Sequence, residues 1–150
     1  MNLFALLQRG QSHAPSDADR QKAKINAEAE RTRAVWLQKL EHDKLRAWIN
    51  IGESDGQLLN GMAVMLTLAG FAHVHAVRNI DTPDVRIIRG AISAATQCAT
   101  SGCMVTLDLV RGWTVAIDRA IEIVKAAPVE SIIHASIEMQ KTQSRLEKMC

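Results

Sequence analysis

The sequence predicts an all-α protein, a bundle of about five helices around a central hydrophobic helix, with a long N-terminal helix. Three observations predict it. Gly56 to Val77 holds no charged residue between Asp55 and Arg78 and is apolar on every side if wound as a helix. From Asp17 to about Asn50 neither Pro nor Gly interrupts a run rich in Ala, Glu, Lys, Arg and Gln. Tyr is absent, Phe stands only at positions 4 and 71, and Gly and Pro number eight and three, leaving little from which to make strands and turns.

The uncharged stretch decides between a buried rod and a membrane span. Its unbroken apolar part runs only from Met62 to Ala72, with Gln57, Asn60, His73 and His75 crowding the ends. A span needs roughly 20 predominantly apolar residues, so a core helix and no membrane are expected. Gly61 and Gly70 are costly inside a helix, a cost that close approach of a neighbouring helix would justify.

At 150 residues the chain is expected to form one helical-bundle domain, 17–150, behind a flexible N-terminal segment, 1–16. Hydrophobic residues make up 47% and charged residues 23% with a formal net charge of +2, which excludes a disordered chain and gives no general reason for a polyanionic partner. Cys98, Cys103 and Cys150 are odd in number, without a pairing pattern, so a reducing cytoplasm is the expected setting.

Met1 to Arg9 lacks the basic start and the length of a signal peptide. Its Leu3, Phe4 and Leu7, followed by the linker Gly10 to Ser16, read either as a frayed end docked on its own body or as a hydrophobic hook for a partner. Asp17 is the expected N-cap of the long helix, about 50 Å at 1.5 Å per residue. Its second half sets Ala34, Leu37, Leu45 and Trp48 on one stripe, expected to face the core, with Leu40 and Ile49 at the margins. Its first half is thinly apolar, with Ile25 and Ala29 on a line that continues to Trp36, so residues 17–33 are expected to project into solvent or pair with a second copy. Residues 1–50 carry nine Lys or Arg against six acids. Arg20, Lys24, Arg31 and Arg33 are candidate partner contacts, although Asp17, Asp19, Glu28 and Glu30 are interleaved with them at ion-pair spacing.

Ser54 or Asp55 should cap the uncharged helix. His73 and His75 lie about 200° apart around it and cannot share one ion, so they read as polar tips and no metal is expected. Thr82, Pro83 and Asp84 open the next helix strongly, and Val85, Ile88, Ile92, Ala95 and Ala99 mark its inward face. Two helices joined by a short turn, with Arg78, Arg86 and Arg89 near the second, also fit a helix-turn-helix reader of nucleic acid, the alternative partner. A break or kink is expected at Ser101 and Gly102. Thr106 to Ala127 has the best periodicity, with Leu109, Val110, Trp113, Ile117, Ala120, Ile121 and Val124 inward. Pro128 opens the last helix, whose tail from Gln140 is almost wholly polar.

No glycine-rich phosphate loop, paired CxxC, HExxH or GxSxG occurs. The expectation is a non-enzymatic protein without cofactor that binds another protein as adaptor, regulator or inhibitor, with a homodimer as its first assembly. A small-molecule pocket lined by Met62, Met65 and Trp113 is a third reading.

Overall fold

A computed structural model describes residues 16–149. Among them lie five helices and no strand: α1 (Asp17–Ile49), α2 (Gly56–Val77), α3 (Pro83–Ser101), α4 (Leu107–Ala126) and α5 (Val129–Met149).

Side-chain caps set the starts. Ser16 Oγ accepts from Asp19 N at 3.1 Å, so the cap of α1 is Ser16, one position before the expected Asp17, and Asp17 becomes the first helical residue. Asp55, Thr82 and Thr106 accept in the same way from Leu58, Val85 and Leu109. Helix α3 ends where expected, because Gly102 takes a left-handed φ of 66° that an L side chain rarely adopts. The turns after α1 and α3 are tied together: Gly52 N donates to Val105 O and Val105 N to Glu53 O, each at 2.8 Å.

Helix α2 packs against each of the other four helices. Among the described residues it is the one helix long and apolar enough to cross a membrane. Leu58, Leu59, Met62, Met65, Leu66 and Ala69 are buried, whereas Gln57, Asn60, Gly61 and Val64 form a strip open to solvent, so the rod is not covered on every side. Close approach does not account for its glycines. A Cβ at Gly61 would meet nothing within 4 Å, and one at Gly70 would sit 3.8 Å from Ile88 Cγ2, an ordinary contact.

Helix α4 has the phase its sequence predicts, with Val110, Trp113, Ile117, Ala120, Ile121 and Val124 buried. Each of the Val and Ile side chains withdrawn from water contributes about 1.5–3 kcal/mol. The indole N–H of Trp113 is buried with no partner among the described residues. Helix α1 corrects the expected phase. Its buried line is Ala29, Trp36, Leu40 and Ala47; of the expected stripe only Leu37 packs against the core, half-buried, while Leu45 and Ile49 are 59% and 70% exposed and Ala34 and Trp48 also face outward. Apolar residues occupy both lines, and one line is chosen by what α4 and α5 offer opposite it.

Cysteine pairing also departs from expectation. Cys98 and Cys103 form a disulfide, because the turn at Gly102 brings their Cα atoms to 5.0 Å.

Candidate partner-binding groove

The front of α1 runs beside α5. Lys24, Ile25, Glu28, Ala29 and Thr32 recur every three or four residues and share one face of α1; Ile133, Ser136, Ile137 and Gln140 do the same on α5. Between them is a groove of about 330 Å³. Buried Ala29 and Ile132 make its floor, and its walls keep Ile25 47% and Ile137 45% exposed. Among the described residues nothing covers this apolar surface.

The candidate contacts on α1 divide into three groups. Lys24 and Ile25 line the groove. Arg20 and Arg31 stand on the exposed side, 3.9 Å from Asp17 and 3.1 Å from Glu28. Arg33 turns inward: Nη1 donates to the carbonyls of Val124 at 2.6 Å and Lys125 at 3.2 Å, satisfying the open end of α4. Trp36, only 7% exposed, is a core residue and not a surface contact. Leu3, Phe4 and Leu7 lie outside the described residues.

Three features escaped the sequence reading. The first is the outward patch of Leu45, Trp48 and Ile49, where Trp48 Nε1 donates to Thr114 Oγ1 at 3.0 Å and leaves its ring on the surface. Beside it Lys44 bridges Glu41 at 3.2 Å and Asp118 at 3.0 Å, and the hydrogen bond to Asp118 raises the Lys44 pKa. Partial burial pushes the neighbouring Asp43 carboxyl up against the opposing pull of His42, Arg46 and Lys39. The second is a stack of His75 on His134, with ring centroids 4.3 Å apart, in which His75 Nδ1 lies 2.9 Å from Ser131 Oγ. No local spacing joins positions 75 and 134. The third is the groove itself, whose two walls come from opposite ends of the chain.

For the alternative partner, Arg78 closes α2 in a left-handed conformation with φ 56°, its N–H donating to Val74 O. Arg86 is held by Asp81 at 3.3 Å, and Arg89 is exposed without an ion pair among the described residues. Met62, Met65 and Trp113 are buried in the core, away from the groove and from the cavity beside His75. His73 sits 3.0 Å from Thr82 Oγ1, and no set of three or more His, Cys, Asp or Glu side chains among the described residues is gathered to hold a metal.

Neither a protein-family model, a curated protein nor a solved structure matches the chain.

Proposed function

We propose that this chain is a non-enzymatic binding protein, an adaptor, regulator or inhibitor, that holds another protein against its helical surface and pairs first with a second copy of itself. The observation that carries the reading is the open groove between α1 and α5, with Ile25 and Ile137 half exposed on its walls. Apolar surface of this kind, framed by charged residues, is where a partner gains most by excluding water.

The order of charges on exposed α1 supports self-pairing. Arg20, Lys22 and Lys24 precede Glu28 and Glu30. An antiparallel match of two α1 helices about a two-fold axis near Asn26 sets Lys24 opposite Glu28 of the other copy, and Lys22 opposite Glu30, in exchange for or beside the pairs these acids make with Arg31 and Arg33 in their own chain. Such rim pairs contribute little affinity and mainly fix register, while Ile25 supplies the buried contact. A protein partner is favoured over nucleic acid because acids are interleaved with the basic residues of α1 and Asp81 engages Arg86, which leaves little concentrated positive charge. A cytoplasmic setting accompanies this reading only with the Cys98–Cys103 bond reduced.

Light scattering tests it by charge exchange. The intact chain should run as a dimer, Lys22→Glu with Lys24→Glu should shift it to monomer, and adding Glu28→Lys and Glu30→Lys should restore the dimer. A monomeric wild-type chain, or a reversed variant that stays dimeric, sinks the proposed pairing. Steep salt-dependent retention on heparin would instead favour the nucleic-acid alternative.

A further inference from the structure

A second cavity shares no residue with the groove. It has about 350 Å³ and lies among α2, α3 and α5, walled by Phe71, Val74, Ile88 and Ile92, with Ile80 of the α2–α3 turn at its mouth. That volume is at the lower end of the range for small-molecule sites, and a mostly apolar lining with a few polar residues is the usual composition of one. Ile80 is 67% exposed although it lines this apolar cavity, so none of the described residues buries it.

The polar lining residues are Arg89, His75, His134 and Glu138. Glu138 is engaged by Lys141 at 3.4 Å, whereas Arg89 has no carboxylate at ion-pair distance among the described residues. His75 is held in place by Ser131, which is 1% exposed, and by stacking on His134. A fixed aromatic pair therefore lines the cavity together with an arginine that has no ion pair among the described residues.

We propose that this cavity binds a small apolar molecule bearing a single carboxylate, of the size of a medium-chain fatty acid. The tail lies between Phe71, Ile88 and Ile92, and the carboxylate meets the fork of Arg89, whose paired N–H groups match its two oxygens. One negative charge fits better than the two of a phosphate monoester, because Glu138 lines the same cavity and repels a dianion more strongly. The site is independent of the α1–α5 groove, so it can stand if self-pairing fails.

The test uses the full chain with sodium decanoate, 1-decanol and decylamine below their aggregation concentrations, followed by amide NMR shifts and thermal melting. Decanoate should bind saturably, shift amides of residues 70–92 and 131–138 first, and raise the melting temperature. Decanol and decylamine should bind at least about ten-fold more weakly, and Arg89→Gln, at an exposed position that leaves the fold intact, should weaken decanoate by a similar factor. Glu138→Gln should tighten it. Equal binding of decanol and decanoate, unchanged affinity in Arg89→Gln, shifts centred elsewhere, or no binding by any of the three overturns the proposal.

Discussion

Arg33 on α1 donates from Nη1 to the carbonyl oxygen of Val124 at 2.6 Å, across 91 positions of sequence, while its Nε holds Glu30 at 3.0 Å. The guanidinium thus places a positive charge where α4 ends and its last carbonyls lack helical partners. The side chain is only 14% exposed, which sets it apart from the solvated arginines beside it. Arg33→Ala should cost about 2 kcal/mol in urea unfolding, the range for a hydrogen bond to a charged group. Arg31→Ala, which loses only a surface pair with Glu28, should stay within about 0.5 kcal/mol. Equal effects of the two would remove the structural role given to Arg33.

The phase of α1 is open to a direct check at its far end. Leu45 and Ile49 lie outward, so Leu45→Lys combined with Ile49→Lys should leave the midpoint of unfolding nearly unchanged. Leu40→Lys, at a position 1% exposed, should prevent folding or cost more than about 4 kcal/mol. If the pair at 45 and 49 proves as damaging as position 40, the helix is rotated from the orientation described.

The bond between Cys98 and Cys103 closes a short loop of sequence separation 5. A loop of that length restrains the unfolded chain by about 2 kcal/mol in the chain-entropy account. Gly102 already fixes the same turn, and Cys103 N donates to Cys98 O at 3.1 Å, so the helices should survive reduction. Chemical denaturation with and without a reducing agent should show a loss no larger than that figure and an unchanged far-ultraviolet dichroism spectrum. Collapse of helicity on reduction would contradict it.

The sequence was most informative where the signal is local. Thr82 followed by Pro83 and Asp84 specifies a helix start within four residues, and the helix begins there. The apolar positions of α4 follow one line with charged residues opposite, so its inward face could be read directly. Helix α1 was harder because small and apolar residues populate two lines at once. Ala34, Leu37, Leu45 and Trp48 formed as plausible a stripe as Ala29, Trp36, Leu40 and Ala47, and local spacing does not record which one finds a neighbour. Trp36, taken for a surface contact, was misplaced for that reason.

What the sequence by itself determined is the inventory of helices, most of their ends, and the absence of familiar catalytic motifs, because caps and hydrophobic periodicity act over four to eleven residues. Only the tertiary structure decided which side of α1 is buried, that Arg33 closes α4, that His75 stacks on His134, and that α1 and α5 leave a groove between them. Each of these joins residues more than fifty positions apart. Their proximity follows from how five helices fill one core together, a condition on the whole chain that no short stretch carries.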